Sequence, residues 1–118
     1  MRIYIAGPMT GLPNYNFEAF DIARDRLLAW PGDMTVVSPA DMDRSLGIEP
    51  DAEGKIENFN YTDAMRRCCL VLCDDVDAIY MLNGWNASKG ARAERSLSIA
   101  LGHQIFYESV GLIGADID

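Results

Sequence analysis

The sequence predicts an α/β fold, a mostly parallel sheet of four or five strands with helices on both faces. Three observations carry this expectation. Short β-rich runs alternate with helical patterns along the chain, and strands joined through helices pair in parallel by right-handed crossovers. The run 77–82 (Asp-Ala-Ile-Tyr-Met-Leu) is nearly all apolar, as a central strand covered on both faces must be. Polar, glycine-containing turns follow the strands, at the edge where open α/β sheets take ligands. The chain of 118 residues fits one domain around one core, a small flavodoxin-like sandwich over residues 1–118.

Each element has a local reason. Arg2 to Ala6 is a first strand, ending at Gly7-Pro8-Met9-Thr10-Gly11. That loop lacks the Gly-Lys-Ser/Thr ending of a P-loop and the three-glycine dinucleotide fingerprint, so it reads equally as a tight turn. Asn14 or Asn16 can cap a helix whose core face is Phe20, Ala23 and Leu27, with Pro31-Gly32 ending it. Thr35-Val36-Val37 is a β-branched strand leading into a turn, Ser38 to Asp43, where Asp41 or Asp43 either reaches a ligand or serves as an ordinary turn residue. Gly47 to Lys55 reads as a surface loop. A helix follows from about Glu57 to Cys73, with Phe59, Met65, Cys69 and Leu72 roughly on one face. After the central strand come the turn Asn83 to Ser88, a helix from Gly90 to Leu101 stopped by Gly102, a strand from Gln104 to Tyr107, and a short exposed tail from Val110 to Asp118.

Composition narrows the function. A net charge of −8 argues against polymeric nucleic acid, which needs a basic patch, but leaves a mononucleotide open. No apolar run approaches the roughly 20 residues of a membrane span, and the start, Met1-Arg2-Ile3-Tyr4-Ile5, lacks the shape of a signal peptide. The chain reads as cytoplasmic, with no membrane partner. Cys68, Cys69 and Cys73 crowd onto one helix with no histidine nearby to complete a zinc site, so they read as buried free thiols, with no metal and no cofactor.

Glu94 is the residue that stands out. Gly90, Glu94, Leu97 and Leu101 share one helical stripe. If Leu97 and Leu101 face the sheet, Glu94 faces inward, and buried Glu is rare unless something uses it. The helix start beside it offers backbone N–H groups that attract anions. Trp85 either stacks on a ligand or packs over a core edge. Tyr4 and Tyr61 read as packing residues, and His103, the single histidine, lies at the end of the fold away from the strand C-termini.

The residues Ile3-Tyr4-Ile5-Ala6-Gly7-Pro8-Met9-Thr10-Gly11, with Gly84-Trp85 through Ser88, Gly90 and Glu94, resemble the nucleoside 2-deoxyribosyltransferase superfamily. The nearest branch is a short phage and bacterial group described as a domain of unknown function. The pattern Ser88-x-Gly90-x-x-x-Glu94 is similar to that of the 2′-deoxynucleoside 5′-phosphate N-hydrolases. The resemblance implies a nucleoside 2-deoxyribosyltransferase-like domain that cleaves or transfers at the N-glycosidic bond of a (deoxy)nucleoside or its 5′-monophosphate. Glu94 would be the nucleophile, and the substrate-binding residues would be Gly7, Pro8, Met9, Asp41, Trp85, Ser88 and Gly90. The resemblance further implies a homo-oligomer, in which a neighbouring subunit can help complete the site.

Two departures accompany it. The superfamily's second acid lies eight residues before an Asp matching Asp77, where this chain has Cys69, with Cys68 beside it. Pro8 and Thr10 stand where the phosphate-specific hydrolases carry Ser and Arg. The missing acid motivates an alternative, a catalytically impaired nucleotide-binding or sensing module using the same pocket. A third reading is a protein-interaction domain with Trp85 and Tyr61 at its interface.

Overall fold

β1 (Arg2–Ala6) is the strand on which the sheet is built. It pairs in parallel with β2 (Thr35–Val37) on one side and with β3 (Ala78–Met81) on the other, in registers Ile3↔Val36 and Ile3↔Ala78. β4 (Gln104–Tyr107) continues the sheet in parallel beyond β3. A fifth strand, β5 (Gly111–Asp116), closes the edge antiparallel to β4, giving the order β2-β1-β3-β4-β5. The computed structural model describes residues 1–116, the last six as backbone. The segment expected as an exposed tail is therefore a strand through residue 116, and residues 117–118 of that expectation lie outside the described residues.

Alternation along β1 divides the core into two layers. Ile3 and Ile5 point to one face, where they pack with Phe17, Phe20, Ala23 and Leu27 of α1 (Phe17–Leu28) and Ala40 of α2 (Pro39–Ser45). Tyr4 and Ala6 point to the other, against Cys68 and Leu72 of α3 (Tyr61–Asp74) and Ala91 of α4 (Lys89–Ala100). Successive strand side chains must take opposite faces, so an apolar run of this length requires helices on both sides. The fold is thus the flavodoxin-like α/β sandwich that the alternation predicts. Among the described residues no helix is long and apolar enough to cross a membrane.

Three local expectations need correction. Ser38 to Asp43 is no simple turn, because Pro39 at the first helical position and Asp41 in the first turn start α2. α3 begins at Tyr61 rather than near Glu57, because the Asn60 side chain caps it by accepting from the Asp63 N–H at 3.0 Å. Phe59 thus precedes the helix, and its buried face carries Cys68 and Leu72, with Cys69 half-buried.

The start of α1 is also unlike the expected cap. Asn14, Tyr15 and Asn16 all take left-handed conformations, with φ of 51°, 54° and 61°. Asn16 occupies the capping position, but its side chain donates to the Pro8 carbonyl at 2.9 Å instead of capping. Such backbone costs about 1–2 kcal/mol per residue. It lays the Tyr15 ring against Phe59, with centroids 5.3 Å apart.

Candidate active site

The strand order reverses between β1 and β3, and open α/β sheets take ligands outside the strand carboxyl ends at such a point. A cleft of about 680 Å³ lies there. The β1 loop, the Tyr15 turn and the start of α4 all reach it, and so does one flank of α3. Close packing shapes it from below. A Cβ on Gly7 would come within 2.7 Å of the Leu82 Cβ, so the loop after β1 can cross the end of β3 only as glycine. Gly90 lets α3 approach α4, since a Cβ there would meet the Tyr61 hydroxyl at 2.9 Å.

Glu94 stands in the wall of this cleft and is only 6% exposed. It is brought inward by the stripe Ala91, Glu94 and Ser98, which are the buried residues of α4. The expected stripe was therefore half right. Glu94 faces inward, but Leu97 is only partly buried and Leu101 is exposed. Small residues at positions 91 and 98 let the helix sit low on the sheet, which larger leucines would prevent. The Ser88 hydroxyl caps α4 by accepting from the Ala91 N–H at 3.2 Å.

The carboxylate is met by neutral donors. The Tyr4 hydroxyl donates to Glu94 Oε2 at 2.7 Å, and the Cys68 thiol lies beside both. Among the described residues no Lys, Arg or His forms an ion pair with Glu94. Burial pushes its pKa up to about 7, while donation from Tyr4 and Cys68 holds it back. Burial likewise pushes the Cys68 thiol up to about 12, and the Glu94 charge adds to that shift. Tyr4 is raised well above the ordinary phenol value, first by burial and then by Glu94. Near neutral pH the cluster therefore holds a half-ionised carboxyl and two protonated neighbours. The helix start does not keep Glu94 fully ionised.

Six of the eight residues singled out in the sequence line the cleft: Gly7, Pro8, Met9, Ser88, Gly90 and Glu94. Trp85 and Asp41 do not. Trp85 packs on Tyr107, with ring centroids 6.0 Å apart, under the Arg95 guanidinium 5.0 Å from its ring. Asp41 is tied to Arg24 at 2.7 Å and to Arg44 at 3.2 Å, where α1 meets α2. Asp43 is buried and pairs with Arg67 at 3.3 Å, and it also stays out of the lining.

Two residues read as packing groups belong to the site. Tyr4 holds Glu94, and Tyr61 lines the cleft. A phenol inside an otherwise aliphatic buried strand was the available signal for Tyr4, because a buried Tyr hydroxyl usually has a partner. Cys68 rather than Cys69 faces the cleft. Among the described residues no group of three or more His, Cys, Asp and Glu is placed to hold a metal ion. The three thiols are free, but of the three expected as buried only Cys68 is; Cys69 is half-buried and Cys73, near the end of α3, is exposed.

Residues 1–107 match the family described as Domain of unknown function (DUF4406), and the chain belongs to that family. No curated protein and no solved structure matches it.

Proposed function

We propose that this protein cleaves or transfers at the N-glycosidic bond of a (deoxy)nucleoside or its 5′-monophosphate, with Glu94 as the nucleophile. The observation that carries the reading is a buried carboxylate in the wall of a cleft, held by a phenol and, among the described residues, in no ion pair. A carboxylate nucleophile attacks the anomeric carbon as the base departs, and its charge stabilises the oxocarbenium-like transition state before the ester forms. The glycosyl–enzyme ester then passes to water or to a second base. The Tyr4 hydroxyl fixes the attacking carboxylate, which leaves Oε1 of Glu94 outside that bond. The resemblance in sequence supports the same chemistry, with a homo-oligomer as the working assembly in the cytoplasm.

The test is incubation with a panel of nucleosides and 5′-monophosphates, following free base by chromatography. Base release by the wild type that is lost in Glu94→Ala supports the reading, and a panel with no release contradicts it. One observation favours the second reading, a nucleotide-binding or sensing module. The position of the superfamily's second acid holds Cys69, which does not line the cleft, and Cys68 beside it, with its pKa pushed up to about 12, is a poor proton donor. Calorimetric binding of a nucleotide without turnover would select that module.

A further inference from the structure

We infer that the cleft is built for a substrate whose leaving base already carries a positive charge, such as a ring-alkylated purine or a pyridinium nucleoside. This rests on the N-glycosidic reading of the same cleft and names its substrate class.

The first argument is charge. Among the described residues only two charged side chains line the cleft, Glu94 in its wall and Lys89 at the exposed start of α4. Glu94 has neutral neighbours in Tyr4 and Cys68. A buried carboxylate without a cation is an unfavourable arrangement, and a cationic ligand supplies the missing charge. The second argument is the wall. Tyr15 and Phe59 meet at 5.3 Å to form an aromatic end of the cleft, with Tyr61 beside it, and aromatic faces attract cations. The left-handed backbone at Asn14–Asn16 holds Tyr15 there.

The third argument is the proton. A neutral base leaves readily only if an acid protonates it, a contribution of about 10²–10⁴-fold. Burial keeps the Cys68 and Tyr4 protons in place and also raises Tyr61. Asp43, whose charge also acts on Cys68, is paired with Arg67 outside the lining. A cationic base needs no proton. The Glu94 oxygen forms the bond to the anomeric carbon, and the C–N bond breaks with its electron pair going to the ring nitrogen. The base leaves neutral. Water then opens the ester, returning the carboxylate and releasing one proton to solvent. The bound cation also lowers the pKa of Glu94, ionising the nucleophile in the complex that needs it.

The experiment compares base release from two cationic nucleosides, N7-methylguanosine and nicotinamide riboside, with release from guanosine, adenosine and thymidine. The purine pair is run in ribo and 2′-deoxyribo forms, with and without a 5′-phosphate. Each rate at pH 6, where N7-methylguanosine keeps its N1 proton and its net positive charge, is divided by the rate without enzyme, because cationic nucleosides are intrinsically more labile. The expected result is an acceleration at least about 100-fold greater for the cationic members, lost in Glu94→Gln. Cys68→Asp, which returns a carboxyl to the cleft, is expected to raise release from guanosine selectively. Equal or greater acceleration of the neutral members overturns the inference and leaves the N-glycosidic reading standing. No acceleration of any member overturns both.

Discussion

Glu94 and Asp21 are both carboxylates on helices packed against the same sheet, and the chain treats them in opposite ways. Asp21 on α1 accepts a two-pronged bond from Arg44 of α2, at 2.8 and 2.7 Å, and a third contact from Arg24 at 3.3 Å. Arg44 itself lies over the Phe17 ring, 5.0 Å from its centre. The Arg44 bond holds the Asp21 pKa below its usual value. Glu94, on the other face, is nearly inaccessible and receives only neutral donors, and burial drives its pKa up to about 7. A carboxylate that fastens two helices is given cations, whereas one that lines a cleft is left without them. The contrast separates an acid held by cations from one held by neutral donors more sharply than burial alone.

The largest expected effect tests the Glu94 half. A carboxyl whose pKa is raised on folding from 4.5 to about 7 contributes its full stability below pH 4.5 and loses it as pH rises through 7. Its ionisation then opposes folding by on the order of 3 kcal/mol. Glu94→Gln is therefore expected to match the wild type at pH 4.5 and to be more stable by about that amount at pH 8. Urea unfolding across that range checks it, and equal pH slopes for both proteins would break the contrast.

Tyr4→Phe comes next. It removes a hydrogen bond to a group that becomes charged, worth about 1.5–3 kcal/mol when ionised and about 1 kcal/mol when neutral. Its cost is expected to grow between pH 5 and pH 8, and the Glu94 titration to move upward, since Tyr4 donation lowers that pKa. A cost that does not change with pH would make Tyr4 a packing residue only. Asp21→Asn gives the smallest effect and the opposite sign. A lowered pKa adds stability that is present above the usual 3.8 and is lost as pH falls through the folded value. With 29% of its side chain exposed, the loss is expected to stay within about 1 kcal/mol at neutral pH, to shrink in high salt and to vanish in acid. Base release is expected to be unchanged.

The fold was legible where local pattern and burial agree. The strands Arg2–Ala6, Thr35–Val37 and Gln104–Tyr107 stand where the β-branched and apolar runs put them. α2 escaped notice because seven residues are too few to display a helical period, although Ser38-Pro39 followed by Asp41 is a helix-start signal. β5 was hidden in a glycine-containing tail whose strand character comes from pairing with β4. Glu94 was legible from its spacing. Its partner was not, because Tyr4 lies 90 residues away in sequence, and only the β1–β3 register with α4 above it brings the two together. Trp85 was open between stacking on a ligand and packing over a core edge. It packs, with Arg95 over its ring and Tyr107 tilted against it.

The most direct measurement is the titration of the Glu94 carboxyl itself, followed by the carbon chemical shift of a selectively labelled protein and assigned with Glu94→Gln. Glu94, left among neutral donors, is expected to titrate with a midpoint of about 7. That midpoint is expected to fall when a cationic nucleoside is added. A midpoint near 4.5, unmoved by any nucleoside, would contradict the account.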